Sequence, residues 1–368
     1  MSKSGISDRL EFGANGCEVS FDTTASRRRF LTGLAALGAG TLIPQGGFSV
    51  LAAGAQTAAA ANPVNQERQV LTGKALPRRI DVHHHPSLPN SAPQVRTTQT
   101  GPAPTHWTPE VALKMMDEGG VDLTILSSGG NDGPQCRAMN DYMAKLVSDY
   151  PGRFGMFASL PFPDMDGSLK ELAYGLDELK ADGVRLSTSY GNKWLGDPAF
   201  APLFEELNRR KAVVYTHPSA PECCAKLVPG IGDATIEFGT DTTRAIVRMV
   251  FSGSSARYPD LRMIFSHAGG TMPFLIVRLT KDATMVPDGF SAEAGRFYYD
   301  TAQAAGPAAM YALKSVVPMS HIVFGTDYPY ISAAQTAKGL KDSGVFTAQE
   351  LLQIDRDNAL QLLPKYAG

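Results

Sequence analysis

The sequence predicts an α/β fold, a single (β/α)8 TIM barrel, and three observations predict it. From Arg79 onward, short apolar stretches bounded by Gly, Pro or Asp alternate with stretches of helical spacing. Eight strand-like stretches occur, at 79–85, 121–127, 155–160, 183–187, 212–217, 262–267, 297–301 and 321–327. No glycine-rich phosphate loop follows an early strand, so an open doubly wound sheet lacks its usual mark. Strands joined through helices pair in parallel by right-handed crossovers, and closing eight of them into a barrel is the economical arrangement.

The first 61 residues read differently. Ser26-Arg27-Arg28-Arg29-Phe30-Leu31 sets an arginine cluster before an apolar Gly/Ala-rich run, and small residues follow over 52–61. That order describes an export signal, and the arginine pair before Phe-Leu resembles the twin-arginine type. We expect a periplasmic protein, cytoplasmic if the leader is not processed, with a linker over 62–78 and the barrel over 79–368. Glycines and Pro44 interrupt the apolar run, so no membrane association is expected after processing. A net charge of −2 over 368 residues, without a basic stripe, gives no reason to expect a nucleic-acid partner. Cys136 and the adjacent Cys223-Cys224 have no Cys-x-x-Cys spacing, so free thiols are expected rather than a zinc–thiolate site.

Each helix follows from its apolar spacing. The first, at 109–118, carries Val111, Met115 and Met116; the next, at 168–181, carries Leu169, Leu172, Leu176 and Leu179. Leu203, Phe204 and Leu207 mark a helix over 199–210, and further ones are expected at 240–252, 272–280, 307–316 and 333–340. Residues 347–363 read as a terminal helix packed outside the barrel. The Pro-, Thr- and Ser-rich stretch 86–108 is long for a βα connection and is a candidate lid.

Chemistry concentrates at strand tips. In Asp81-Val82-His83-His84-His85, alternation puts Asp81, His83 and His85 on one face and His84 on the other. Two imidazoles leaving a strand end together can bind one metal. Three more strands end in the same way: Val213, Tyr215 and His217 alternate, as do Met263, Phe265 and His267, and Val323, Gly325 and Asp327. The C-terminal strand ends are where barrels assemble active sites, and a carboxylate there needs a cationic partner.

These motifs resemble the amidohydrolase superfamily, and within it the metal-dependent decarboxylases such as aminocarboxymuconate semialdehyde and γ-resorcylate decarboxylase. The resemblance rests on Asp81–His85, Thr216-His217-Pro218, Phe265-Ser266-His267-Ala268-Gly269-Gly270 and Phe324-Gly325-Thr326-Asp327-Tyr328-Pro329. The stretches around Tyr190–Pro198 and Phe238–Arg244 look most like the 6-methylsalicylate decarboxylase group. It implies that His83, His85, His217 and Asp327 hold one divalent metal ion, zinc first and manganese as the alternative. It implies His267 as general acid/base with Asp327; a fifth ligand or a scaffold residue is the other reading.

Arg278 matches an arginine that, in the muconate decarboxylase, reaches a neighbouring subunit to hold substrate carboxylate, which implies a homodimer or higher homo-oligomer. A solvated helix residue is the plain alternative. Arg96 is the nearest counterpart of a second substrate arginine. Asp300 can orient a ligand histidine, contact substrate or cap a helix. Trp194 and Trp107 can flank an aromatic ring, and Arg185 and Ser187 can line the mouth. His321, at the start of the eighth strand, reads as structural. The function implied is non-oxidative decarboxylation of a small aromatic or enoic carboxylic acid such as 6-methylsalicylate. Hydrolysis of an amide or lactone by metal-activated water is the alternative, and a structural metal in a binding protein the third reading.

Overall fold

The computed structural model describes residues 78–89, 97–98, 101–102, 107–130, 132–281 and 286–367. The expected leader, the linker up to residue 77 and Arg96 lie outside them. Eight strands follow one another around the sheet in chain order: β1 (Ile80–His84), β2 (Leu123–Ser127), β3 (Phe154–Ser159), β4 (Gly183–Ser187), β5 (Val213–His217), β6 (Arg262–Phe265), β7 (Tyr298–Asp300) and β8 (Ile322–Val323). All seven neighbouring pairs are parallel. Backbone bonds from Val82 N to Phe324 O (3.0 Å), Asp327 N to His83 O (2.9 Å) and His85 N to Tyr328 O (2.9 Å) join the last strand to the first. The strands are buried on both faces, as a parallel barrel requires, and therefore read as near-continuous apolar runs.

Helices α1 (Pro109–Glu118), α2 (Gly133–Asp149), α3 (Met165–Ala173), α4 (Ala201–Arg209), α5 (Glu237–Phe251), α6 (Met272–Leu279), α7 (Pro307–Val316) and α8 (Ala333–Asp342) lie between and after the strands. Among the described residues no helix is long and apolar enough to cross a membrane. Thr108 starts α1 by accepting the Val111 N–H, with Pro109 in the first turn where no N–H is needed. Helix α2, the one the spacing does not announce, buries Asn140 among Cys136, Met139, Met143 and Leu146. Asn140 earns its place by accepting from Ser159 N (2.7 Å) and donating to Ser159 O (2.9 Å), which ties α2 to the end of β3.

Three expectations change in detail. The sixth strand stops at Phe265, and Met263 and Phe265 face the helices, Phe265 against Phe297 with ring centroids 5.1 Å apart. Ile264, paired in register with Tyr215, belongs to the cluster that holds Tyr215 and Phe157. His267 therefore does not reach the barrel mouth by alternation; a left-handed backbone at φ 56 turns it there. The eighth strand is short because Phe324 N bonds to Ile354 O instead of a neighbouring strand (3.0 Å). That same carbonyl lies in a wide turn, Gln353–Asp357, that breaks the expected terminal helix into Ala348–Leu352 and Asn358–Leu362.

Candidate metal centre

His83 and His85 leave the end of β1, His217 ends β5, and Asp327 follows β8. One ligand atom from each lies within 4.8 Å of every other. The second nitrogen of each imidazole is engaged. His83 Nδ1 donates to Asp300 Oδ2 (2.8 Å), His85 Nδ1 to Ser127 O (3.1 Å) and His217 Nδ1 to Pro218 O (2.8 Å). Acceptors at Nδ1 fix the tautomer that leaves a lone pair on each Nε2, the outer-shell arrangement typical of metal-bound histidine.

Those lone pairs converge. His83 Nε2 and His85 Nε2 are 3.0 Å apart, and Asp327 Oδ1 is 3.1 and 2.9 Å from them. His217 Nε2 and Asp327 Oδ1 are buried without a hydrogen-bond partner. Lone pairs and a carboxylate oxygen packed this closely repel unless a cation lies among them. Three imidazoles and one carboxylate suit zinc or manganese, so the residues present fit a divalent metal.

The electrostatics agree. Burial alone would raise the Asp327 carboxyl, but His83, His267 and His85 hold it well below the ordinary carboxylate range. Burial lowers His217 well below its usual value, and the neighbouring His85 and His83 add to that. Burial also disfavours charge on His83, yet Asp327 and Asp300 on either side lift it to about 10. A group so strongly drawn to positive charge is one where a metal replaces a proton.

Asp300 is fully buried, and its Oδ1 accepts from His267 N (2.8 Å) and Ala302 N (3.0 Å) while Oδ2 takes His83. Its place is behind the ligands, so the expected substrate contact is replaced by an orienting one. A side chain at Gly325 would come within 2.8 Å of Asp300 Cβ and 3.0 Å of His83 Cβ, and glycine is what lets this pair approach. His267 Nε2 stands 3.4 Å from Asp327 Oδ2, the oxygen that also accepts from Gln303 Nε2. Phe238 lies parallel to the His267 ring at 6.4 Å.

Beyond these residues opens a cavity of about 1300 Å³, lined by His85, Met139, Arg185, His217, His267 and Asp327 among others. Pro86, Ser87 and Leu88, from the stretch expected as a lid, also line it. Trp194 and Arg278 do not line it within the chain. The Trp194 indole donates to Asp241 Oδ1 (2.6 Å), so it braces α5 rather than flanking a ligand, and Arg278 is exposed on α6. Trp107 is buried and donates to His84 Nε2 (2.9 Å), while His321 stacks on Tyr298 with ring centroids 4.3 Å apart.

Sequence reasoning missed Gln303 and Asp241. Asp241 is fully buried and accepts from Thr188, Ser189, Trp194 and Ser219, pinning the turns after β4 and β5. Nothing periodic marks it; its place in the Phe238–Arg244 stretch, where no single residue was given a role, was the available sign.

The sequence model of the amidohydrolase family matches residues 80–365. The chain belongs to this family. Among its relatives, a decarboxylase of Aspergillus niger is 36% identical over 323 residues, covering 78% of this chain and 88% of that protein. A 6-methylsalicylic acid decarboxylase of Penicillium expansum is 33% identical over 318 residues, covering 79% and 97%. A dihydroxybenzoic acid decarboxylase from Polaromonas, solved with bound manganese and 2-nitroresorcinol, superposes with a TM-score of 0.64 at 21% identity, covering 78% and 97%.

Proposed function

We propose that this chain is a metal-dependent, non-oxidative decarboxylase of a small aromatic or enoic carboxylic acid of the 6-methylsalicylate kind. The observation that carries it is His267, outside the ligand set and 3.4 Å from the outer oxygen of Asp327 on the cavity side. A divalent cation held by His83, His85, His217 and Asp327 would supply Lewis acidity toward the substrate's carboxylate or neighbouring hydroxyl. His267 and Asp327 Oδ2 pass a proton to the ring carbon that bears the carboxyl group. A C–H bond forms, the C–C bond breaks, its electron pair restores the aromatic ring, and carbon dioxide leaves, so no oxidant is needed. Gln303 holds Asp327 Oδ2 in place, and Asp300 fixes the His267 backbone.

The names of the relatives reported above favour this over hydrolysis at the same site. We test it by incubating metal-loaded protein with 6-methylsalicylate and, separately, with an aromatic lactone. Equimolar carbon dioxide and 3-methylphenol are expected. Lactone opening without carbon dioxide release from any acid would overturn the reading in favour of a hydrolase.

Zinc is the first metal and manganese the second. The protein acts as a homodimer or larger homo-oligomer, with Arg278 presented to a partner's cavity beside the exposed Phe274 and Val277 of the same helix. It is exported to the periplasm by the twin-arginine route. Replacing Arg27 and Arg28 with Lys should leave the protein in the cytoplasmic fraction; unchanged fractionation would contradict export by this route.

A further inference from the structure

Arg185 stands on β4 inside the cavity, without an acidic partner among the described residues. Its Nη1 donates to Ser187 Oγ (3.0 Å), and its Nε is shielded from solvent with no partner at all. The groups that bear on its charge are the phenols of Tyr190 and Tyr215 and the thiol of Cys136, all neutral at ordinary pH. Three other arginines with little exposure are neutralised within the fold, Arg79 by Asp355 at 2.8 Å, Arg210 by Glu206 at 2.6 Å and Arg356 by Asp357 at 2.8 Å, while Arg262 donates to the carbonyls of Leu362 (3.3 Å) and Lys211 (2.7 Å). Of these five, Arg185 is the one that lines the cavity shared with His85, His217, His267 and Asp327.

Its position is built. In the parallel register Arg185 pairs with Tyr215 and Ser187 with His217, so the side chain rises from one layer below the ligand histidine toward it. A Cβ on Gly129 would lie 2.9 Å from Nη1, 3.3 Å from Cζ and 3.5 Å from Nη2, so the guanidinium rests against bare backbone. A buried guanidinium left without a carboxylate is costly unless something brings the counter-charge, and its planar fork matches a carboxylate in two places.

We infer that Arg185 binds the carboxylate of the substrate, so that the cavity selects monoanionic aromatic acids over their neutral analogues. The inference rests on the decarboxylase reading for the identity of the acid, though not for the anion. A purely structural arginine would instead be needed for folding.

Calorimetric titration of the metal-loaded protein with benzoate and with benzamide, which differ in charge at one group, separates these. In Arg185→Gln, benzoate affinity should fall about 10- to 100-fold, the range for one charge-assisted contact, while benzamide affinity changes less than about threefold. Arg185→Lys should fall between. Metal content should stay the same, and the melting temperature should hold or rise, since an unpaired buried charge has been removed. Equal benzoate affinity in wild type and Arg185→Gln would overturn the inference. So would wild type that binds benzoate no better than benzamide, or parallel loss of both ligands with a lower melting temperature in Arg185→Gln and Arg185→Lys. Arg185-dependent benzoate binding in a protein that releases no carbon dioxide from any acid would sink the decarboxylase reading and leave this one standing.

Discussion

The two walls of the cavity are built on opposite terms. Along β1, β7 and β8 the functional groups are tied into one another. Asp300 holds His83 and His267, Gln303 holds Asp327, and Asp81 accepts from His83 N, Thr326 N and Thr326 Oγ1. Here the backbone is also left-handed at His267, Gln303 and Asp327, a conformation that costs about 1–3 kcal/mol at each residue and survives where surrounding bonds enforce it. Along β4 the Arg185 Nε is shielded from solvent without a partner, and the chain after β5 leaves Leu227 63% and Ile231 48% exposed. Most of the groups proposed for the reaction are tied together on one wall, with His217 added from β5, while on the other wall Arg185 lines the cavity without an acidic partner among the described residues.

The sharpest break in that contrast is Asp327→Ala, which on the proposed reading removes a metal ligand and the proton partner of His267 together. We expect kcat to fall about 10⁴-fold or more, read as carbon dioxide release. Next comes His267→Gln, expected to lower kcat about 10²- to 10⁴-fold while metal content stays at the wild-type level. Loss of metal in that variant would make His267 a ligand and end its role as acid/base. Asp300→Ala is a milder cut into the same wall. Without the acceptor for His83 Nδ1–H, metal affinity should weaken about 10- to 100-fold, and Asp300→Asn should recover part of it.

The smallest effect concerns stability. His84 is buried, accepts from the Trp107 indole, and is pushed down to about 3 by burial, with the nearby His85 and His83 adding to it. The unfolded chain binds this proton near 6.5, so the contribution is complete above that pH and is lost as pH falls toward 3. In that window we expect up to about 1.4 kcal/mol lost per pH unit from this one group. Denaturant midpoints for His84→Gln should fall less steeply with acid; an identical pH slope would contradict the assignment.

Much of the tied wall was legible in the chain. His83 and His85 alternate on one strand, and Asp327 ends an apolar strand where a carboxylate is conspicuous. The matching of the strands to a barrel followed from their apolar runs and the helical spacing between them. What could not be read depends on contacts between distant loops or on broken periodicity. Trp194 reaches Asp241 across 47 residues, a bond that leaves no pattern in either segment. Helix α2 hides because Asn140 interrupts its apolar face. His267 arrives by a backbone turn, so the alternation of Met263 and Phe265 pointed to the wrong face of β6. Arg278 carries no sign of which surface it meets until α6 is seen with its outer side exposed.

The most direct test of the centre is metal stoichiometry by elemental analysis, after chelation, reconstitution with zinc or manganese and removal of excess ion. We expect one ion per chain in wild type and His267→Gln, and a small fraction of that in Asp327→Ala and in His217→Ala. Equal metal in all four proteins would contradict a centre made by His83, His85, His217 and Asp327.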